Sequence, residues 1–317
     1  MISSHSNTLQ SSYEYCERFA KASYENFTVG SFLLPRSKRK HICAIYSYCR
    51  LVDDIGDESS SRFPFVTYIN SNVDWESMDE TSKRLALLEY WESELELCYL
   101  DVPNNPVMYA LQDTIKLFDI PCDLFKKLIH ANKLDQTNTR YGTFEDLLQY
   151  CNYSANPVGR IFLYLFGYKD RIRQSLSDST CTGLQLVNFW QDIRRDLDKG
   201  RIYIPTEDMS YFGYSEHDLI SGLENEAFRN LIEFQMDRTM AYLVEGSELA
   251  NIVKGACKLD VALFTRGGVE IANLIRRSNY QVLKSRPRLS SGRRSLVVFI
   301  STLRYVFDMN QAYRVSR

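Results

Sequence analysis

Four oxygen-bearing side chains along residues 185–196 recur at the spacing of one helical face. They are Gln185, Asn188, Asp192 and Asp196. At about 100° per residue, all four share one stripe of an α-helix. The other side of this helix carries the apolar residues Leu186, Val187, Trp190, Ile193 and Leu197. The segment therefore predicts a helix that buries one face and presents oxygen ligands on the other.

The carboxylates of Asp192 and Asp196 are predicted to lie one turn apart, with about 5–6 Å between their Cβ atoms. At this distance they repel each other unless a cation lies between them. Aligned oxygen ligands on a rigid helix suit Mg²⁺, which retains waters and binds substrate phosphates. Mn²⁺ prefers similar ligands. The alternative interpretation of an isolated Asp-x-x-x-Asp pattern is a solvated helix face.

A second acidic stripe occurs near the start of the chain. Its members are Tyr46, Arg50, Asp53 and Asp57, with Asp54 displaced to the flank. Two such stripes could face each other across a helical bundle and gather several Mg²⁺ ions around one diphosphate. This second stripe makes the metal-binding interpretation stronger than the solvated-face interpretation.

Composition limits the remaining classes of function. The formal charge of −2 gives no electrostatic case for a nucleic-acid partner. Nucleotide-binding loops and hydrolytic motifs are absent from the sequence. The 8 cysteines contain no C-x-x-C pair, and the polar N-terminus shows no apolar signal segment, so reduced thiols in the cytoplasm are expected. No apolar run reaches the roughly 20 residues that span a bilayer.

Only 14 Gly and 8 Pro interrupt the chain, which favours long helices. Without repeats or a clear boundary, residues 1–317 are predicted to form one all-α domain. Helices are expected at 8–23, 35–57, 80–100, 105–118, 122–131, 143–166, 170–198, 216–249 and 257–283, with a polar connection at 59–79. Small residues at 154–160 should interrupt the sixth helix, either for packing or for substrate contact. Gly56 should permit a close approach by a ligand or another part of the chain.

The chemistry that suits two acidic stripes is the ionisation of an allylic diphosphate. Arg50, Lys199 and Arg201 lie where a cationic side chain can bind phosphate. The resulting carbocation needs a dry cavity with aromatic walls. The candidate aromatic residues are Phe27, Tyr46, Tyr153 and Phe189, although aromatic residues are also ordinary core.

These motifs resemble the squalene/phytoene synthase family over residues 27–280. The resemblance rests on Tyr46-x-x-x-Arg50-x-x-Asp53-Asp54-x-x-Asp57, on Gln185-x-x-Asn188-x-x-x-Asp192-x-x-x-Asp196 and on Arg201-Ile-Tyr203. Residues 24–27, 154–159 and 188–192 are most similar to the bacterial hydroxysqualene synthase branch of hopanoid biosynthesis. That branch converts presqualene diphosphate and water into hydroxysqualene and diphosphate, beside separate enzymes that make the substrate and reduce the product.

The resemblance implies an all-α isoprenoid synthase fold, a helical bundle around a central cavity. It implies Mg²⁺ ligands at Asp53, Asp57, Asn188, Asp192 and Asp196. It further implies diphosphate contacts at Arg50 and Arg201, and cavity positions at Tyr46, Tyr153 and Gln185. No NADPH is expected. Two departures from the family pattern are Ser23, where the branch has His, and a glycine at 267 or 268, where the family has Tyr.

Other functions share these motifs. The nearest is condensation of two farnesyl or geranylgeranyl diphosphates to presqualene diphosphate, dehydrosqualene or phytoene. A terpene cyclase and an inactive assembly partner are the remaining alternatives. Because the expected substrate and product are lipids, a peripheral contact with the inner membrane is expected, through arginines and an apolar run at 286–305. An equally simple interpretation of that tail is a last core helix.

Overall fold

The computed structural model describes residues 2–23, 35–63, 75–288 and 290. Within these ranges the chain forms thirteen α-helices and no β-strand. The predicted all-α class is therefore confirmed. The chain divides into two compact units, Met1–Asn138 and Thr139–Arg317. The assignment of residues 1–317 to one domain stays a prediction.

The first unit contains five helices in the described residues. They are α1 Ile2–Ser23, α2 Arg36–Asp57, α3 Glu80–Tyr99, α4 Pro106–Phe118 and α5 Cys122–Leu134. Local sequence signals fix their ends: the Asp79 side chain accepts a hydrogen bond from the Ser82 amide, and α4 has a proline in its first turn. The predicted connection at 59–79 contains short 3₁₀ turns at Ser60–Arg62 and Trp75–Ser77, and residues 64–74 lie outside the described residues.

An aromatic core fixes the orientation of α2. Tyr48 is fully buried, and its ring contacts Phe125 edge-to-face at 5.1 Å and Trp91 at 6.1 Å. Its hydroxyl donates to the Phe125 carbonyl at 3.2 Å, so the buried polar group is satisfied. Because Tyr48 lies about 180° around the helix from the acidic stripe, burying Tyr48 turns that stripe away from the core.

A buried polar network joins α1, α2 and α4. The Tyr13 hydroxyl donates to Asp113 at 2.6 Å, and the Thr114 hydroxyl donates to the Ala110 carbonyl at 2.9 Å. His41 Nδ1 lies 2.9 Å from the Thr114 hydroxyl oxygen. Since both hydroxyl protons are committed elsewhere, this geometry assigns the proton to Nδ1 of a neutral imidazole. Burial lowers the pKa of His41 to about 4.

This network predicts an acid-dependent loss of stability. An unfolded His41 binds a proton near pH 6.5, whereas the folded one does so only near pH 4. The contribution of neutral His41 to the free energy of unfolding is therefore complete above pH 6.5 and is lost as the pH falls towards 4. We expect the wild type to lose up to about 3 kcal/mol more than a His41→Gln variant over this interval. Urea unfolding at several pH values measures the free energy of unfolding of both proteins. An equal pH dependence in wild type and variant would contradict a buried, neutral His41.

The second unit contains the remaining eight described helices. They are α6 Phe144–Ser154, α7 Asn156–Leu165, α8 Arg171–Asp198, α9 Thr206–Tyr211, α10 Glu216–Ile220, α11 Glu226–Ser247, α12 Leu249–Ile252 and α13 Gly255–Arg277. The long helix α8 packs against α7, α11 and α13. Its start is fixed by the Asp170 side chain, which accepts a hydrogen bond from the Arg173 amide. A capping box formed by Thr143 and Asp146 begins α6.

Small residues let α8 and α11 approach closely. A Cβ atom added to Gly246 would lie 2.5 Å from the Thr180 backbone nitrogen, and one added to Gly183 would lie 2.8 Å from Leu243. Further along both helices, the Trp190 indole donates to the Thr239 hydroxyl at 2.8 Å. The helix that carries the second acidic stripe is thus held along its buried side by direct contact with α11.

Two predicted helices continue across breaks that the structure contains. The segment at 216–249 is not one helix, because α10 ends at Ile220 and Gly222 has a φ of 73°; α11 then starts after Asn225, whose side chain accepts from the Phe228 amide. The helix predicted at 257–283 ends at Arg277, since Asn279 and Tyr280 are left-handed. Both breaks use local backbone conformations that a hydrophobic periodicity does not encode.

The predicted interruption at 154–160 is confirmed between α6 and α7. A Cβ atom on Gly159 would lie 2.4 Å from the Ser177 hydroxyl and 2.5 Å from the Cys181 sulfur. Gly159 therefore permits close contact between α7 and α8. This agrees with the packing interpretation of the small residues at 154–160. All 8 cysteines lie within the described residues, and none forms a disulfide. No helix among the described segments is long and apolar enough to cross a bilayer.

Candidate active site

The stripe on α2 is accessible to solvent in the first unit. Asp53 and Asp57 are exposed, whereas Tyr46 and Arg50 are half-buried. Val52 and Ile55, which lie on other sides of the same helix, are fully buried. One face of α2 thus offers two carboxylates, a guanidinium and a phenol, as the sequence pattern predicts.

Asp53 lies in a crowded recess although its carboxylate reaches solvent. The side-chain nitrogen of Asn132 on α5 is 3.4 Å from Asp53 Oδ1. Desolvation by the surrounding protein raises the pKa of Asp53 to about 6, and Asn132 and Arg50 offset this effect only in part. The surroundings of this carboxylate therefore disfavour its charged form.

Gly56 explains how α5 comes so near to the acidic stripe. A Cβ atom at this position would lie 2.3 Å from the Asn132 side-chain oxygen, so a larger residue would displace the Asn132 side chain. Gln136, in the turn that follows α5, donates to the Gly56 carbonyl at 3.0 Å. The expected close approach at Gly56 is made by the chain itself. Neither Asn132 nor Gln136 is predictable as a site residue from the sequence, because neither belongs to an acidic pattern.

Arg50 forms an ion pair with its neighbour Asp54. The Arg50 Nη2 atom lies 2.7 Å from Asp54 Oδ1. Desolvation raises the pKa of Asp54, and the charge of Arg50 opposes this shift. The carboxylate on the flank of the stripe is therefore the ion-pair partner of the arginine rather than a further member of the acidic face.

The stripe on α8 is likewise placed on the accessible side of its helix. Asn188 is exposed, and Gln185, Asp192 and Asp196 are half-buried. The predicted apolar side is buried at Leu186, Val187, Trp190 and Ile193, while Leu197 is half-buried. The amphipathic pattern of residues 185–196 is thus confirmed.

Arg286 pairs directly with the carboxylate of Asp192. Its Nη2 atom lies 2.7 Å from Asp192 Oδ2, and its Nε atom contacts Oδ1. Gln191 adds to this contact: its side-chain oxygen accepts from Arg286 Nη2 at 3.3 Å, and its side-chain nitrogen donates to the Pro287 carbonyl. The sequence predicts Arg286 in a tail that contacts either a membrane or the core. The structure shows that it neutralises a member of the acidic stripe.

The flank Arg201-Ile202-Tyr203 packs beneath α8. The Ile202 amide donates to the Thr139 carbonyl at 3.0 Å, and Tyr203 stacks on Phe189 with ring centroids 4.0 Å apart. Phe189 is 3% exposed, so it belongs to the core and not to an open cavity wall. Asp196 and Arg201 both line a small cavity of about 10 Å³, which has room for no more than one water.

The remaining candidates are dispersed. Tyr153 lies on α6 and is half-buried. A Cβ atom on Gly267 would meet no atom within 4 Å, whereas one on Gly268 would meet Leu184 at 2.7 Å. Gly267 therefore has open space for a larger side chain, whereas Gly268 does not. Ser23 is the last residue of α1, and Phe27 lies outside the described residues.

No three acidic, histidine or cysteine side chains in the described part of the chain converge into a complete metal site. Each stripe instead supplies hard oxygen ligands one helical turn apart. Such partial sets suit Mg²⁺ that completes its coordination with water and substrate phosphate oxygens. The high pKa of Asp53 agrees with a place for added positive charge. Each stripe thus fits a metal ion that also binds substrate phosphate better than a metal ion held by protein ligands alone.

Comparison with known proteins places this geometry in a family. The squalene/phytoene synthase profile matches residues 20–293. A solved structure, squalene synthase HpnC from Alicyclobacillus acidocaldarius, is 39% identical and superposes with a TM-score of 0.77, covering 86% of this chain and 95% of that one. A 15-cis-phytoene synthase from Synechococcus elongatus is 28% identical over 94% of both chains.

A dehydrosqualene synthase crystallised with a ligand shares the fold at a TM-score of 0.77, with 23% identity and 98% coverage of both chains. The all-α fold is thus that of the isoprenoid synthases. Both the profile match and the likeness to the Alicyclobacillus structure extend over most of the sequence. The chain belongs to the squalene/phytoene synthase family.

Proposed function

We propose that this protein ionises presqualene diphosphate and captures the rearranged cation with water, releasing hydroxysqualene and diphosphate. The observation that carries the proposal is the 39% identity to squalene synthase HpnC over 86% of the chain. The identity to the phytoene synthase of Synechococcus elongatus is lower, at 28%. The accessible oxygen stripes on α2 and α8 supply the ligands that diphosphate ionisation requires.

The proposed metal ligands are Asp53 and Asp57 on α2 and Asn188, Asp192 and Asp196 on α8. Mg²⁺ bound there would supply the charge that stabilises the departing diphosphate. Arg50 and Arg201 are proposed to hold diphosphate oxygens through charge-assisted hydrogen bonds. For Arg50 this requires exchange of its partner, because its guanidinium is 2.7 Å from Asp54.

Neutral oxygen groups are proposed to position the water. Tyr46, Tyr153 and Gln185 are all half-buried, so the fold holds each of them in place. The carbon–oxygen bond to diphosphate breaks with both electrons on the leaving group. A new carbon–oxygen bond then forms to water, which loses one proton to solvent. No hydride enters this balance, and therefore NADPH is not required.

A second candidate is the head-to-head condensation of two prenyl diphosphates to presqualene diphosphate, dehydrosqualene or phytoene. It is supported by the 28% identity to 15-cis-phytoene synthase, which covers 94% of both chains. The residues that ionise diphosphate would be the same in both reactions. The candidates differ in substrate: the condensation consumes two molecules of a shorter diphosphate, whereas water capture consumes one cyclopropyl diphosphate.

Diphosphate release with a panel of substrates tests the proposal. Purified protein with Mg²⁺ should release diphosphate from presqualene diphosphate and leave farnesyl and geranylgeranyl diphosphates largely unused. Preferential release from either of the two shorter substrates would favour condensation. The Asp192→Asn variant serves as the blank for release that does not depend on the stripe.

The pair between Arg286 and Asp192 predicts competition with metal. Any cation that binds Asp192 must displace the guanidinium, which contacts both carboxylate oxygens. An Arg286→Gln variant should therefore bind Mg²⁺ several-fold more tightly than the wild type in the absence of substrate. Calorimetric titration with MgCl₂ measures this, and Arg288→Gln is the matched control. Equal or weaker binding by Arg286→Gln would contradict the expected competition.

Association with a membrane surface and with neighbouring pathway enzymes stays a prediction, as does a cytoplasmic location. Of the tail at 286–305, only residues 286–288 and 290 lie within the described residues. The part of the tail that carries the apolar run lies outside them. The pairing of Arg286 with Asp192 removes one of the arginines from the proposed membrane contact.

A further inference from the structure

A second cavity lies in the first unit, behind the acidic helix α2. Its volume is about 390 Å³. This value falls within the range of roughly 300–1,000 Å³ that is typical of small-molecule sites. The walls are apolar or aromatic and come from α1, α2, α3 and α4, with Tyr15, Phe19, Leu51, Phe63, Trp91 and Val107 among them.

This cavity is separate from the acidic stripe. The α2 residues that line it are Leu51, Asp54 and Glu58. They lie about 100° around the helix from the face of Asp53 and Asp57. A molecule in this cavity would therefore contact the flank of α2 and leave the proposed metal ligands untouched.

The carboxylates at the edge of the cavity are each neutralised by an ion pair with an arginine. Asp54 is 2.7 Å from the Arg50 guanidinium, and Glu58 is 2.7 Å from that of Arg62. An anionic head group would meet two carboxylates whose arginine partners are already engaged. A cationic head group would find the carboxylates already compensated. A hydroxyl, in contrast, can donate to a carboxylate oxygen without disturbing either pair.

We propose that this cavity binds a neutral, chain-like alcohol of roughly ten to fifteen carbons. At about 30 Å³ for each water-sized atom, the cavity holds about thirteen non-hydrogen atoms. A C30 alcohol has more than twice as many non-hydrogen atoms, so the cavity cannot enclose the product of the proposed reaction. Stacked Tyr15 and Phe19, with centroids 6.3 Å apart, offer the aromatic surface that an unsaturated chain prefers.

Occupancy of this cavity would reach the proposed active site through Arg50. The Arg50 and Asp54 side chains are 39% and 21% exposed, so water weakens their attraction. A hydrocarbon chain over Asp54 would exclude that water and strengthen the pair. Arg50 would then be less available to diphosphate, and the alcohol would act as an inhibitor. This effect on Arg50, unlike the binding itself, rests on the proposed function.

Calorimetric titration of the full chain with geraniol, in EDTA, tests the binding site. The Val107→Phe variant should plug the cavity, because Val107 is a lining residue that is only 2% exposed. We expect geraniol to bind Val107→Phe at least tenfold more weakly than wild type, and Val107→Ile within about twofold of it. Geranyl diphosphate carries the same chain with a charged head, and its binding should not respond to Val107→Phe.

Phe19→Trp narrows the same cavity from α1. This variant replaces Val107→Phe if circular dichroism shows that Val107→Phe is misfolded. Geraniol binding that is absent in the wild type, or equal in wild type and both plugged variants, would overturn the site. In a second arm, diphosphate-substrate affinity with Mg²⁺ is measured with and without geraniol. Weakening in the wild type but not in Val107→Phe is expected, whereas weakening in both would overturn the link to Arg50. Both arms measure binding, so they succeed or fail independently of the reaction product.

Discussion

An Asp53→Asn variant is expected to lose at least about 100-fold in turnover while keeping its fold. The substitution preserves shape but removes one charge from the accessible face of α2, where we propose that Mg²⁺ binds. Losing one such electrostatic contact to a developing anion costs on the order of 10²–10³ in rate. Because desolvation raises the pKa of Asp53 to about 6, its charge destabilises the folded protein without metal. Thermal stability in EDTA should therefore be equal or higher in the variant.

Steady-state diphosphate release and thermal unfolding measure the two effects. Asp123→Asn is the matched control, since Asp123 is an exposed carboxylate on α5 in the same unit, paired only with Lys127 on the next turn. That variant should retain full activity. Asp192→Asn should behave like Asp53→Asn. If Asp53→Asn keeps more than roughly a tenth of wild-type activity, Asp53 is not a metal ligand.

A Gly246→Ala variant is expected to destabilise the protein by about 2 kcal/mol, because its methyl group overpacks the contact between α8 and α11. The added Cβ atom would lie 2.5 Å and 2.7 Å from the backbone nitrogen and Cα of Thr180. Backbone atoms cannot rotate away, so the two helices must separate. Since α8 carries the second acidic stripe, activity should fall together with stability.

Gly267→Ala provides the matched control on α13. Its Cβ atom would meet nothing within 4 Å, so the same substitution adds no clash there. Alanine is favoured over glycine inside a helix by about 0.5–1 kcal/mol, and this variant should therefore be slightly more stable than wild type. Urea unfolding of both variants measures the two changes in the free energy of unfolding, which should have opposite signs. Destabilisation of similar size in both would indicate that the contact at Thr180 does not limit the packing of α8.

The helices were predictable from sequence wherever an apolar face repeats at helical spacing. The face of Leu186, Val187, Trp190 and Ile193 is buried as expected, and the stripe of Asp192 and Asp196 is displayed on the accessible side. Breaks that depend on backbone conformation were not predictable in this way. The left-handed residues Gly222, Asn279 and Tyr280 lie inside segments whose apolar periodicity continues.

The candidate site was predictable to the level of the acidic motifs but not of their partners. Asn132 reaches Asp53 only because Gly56 permits contact between α2 and α5. Arg286 reaches Asp192 from a distance of 94 residues in the chain. Such contacts arise from tertiary packing, which local spacing does not encode. Phe189 is predicted as a cavity-wall residue from its position in the second motif, but its ring lies in the core.

The oxygen atom of the product provides the most direct test of water capture. Purified protein is incubated with presqualene diphosphate and Mg²⁺ in ¹⁸O-labelled water without NADPH, and the lipid extract is analysed by mass spectrometry. We expect hydroxysqualene that carries one labelled oxygen, because the alcohol oxygen comes from water and no hydride is needed. If added presqualene diphosphate is left untouched while farnesyl diphosphate is consumed to make it, the protein is a condensing synthase and the proposed reaction is wrong.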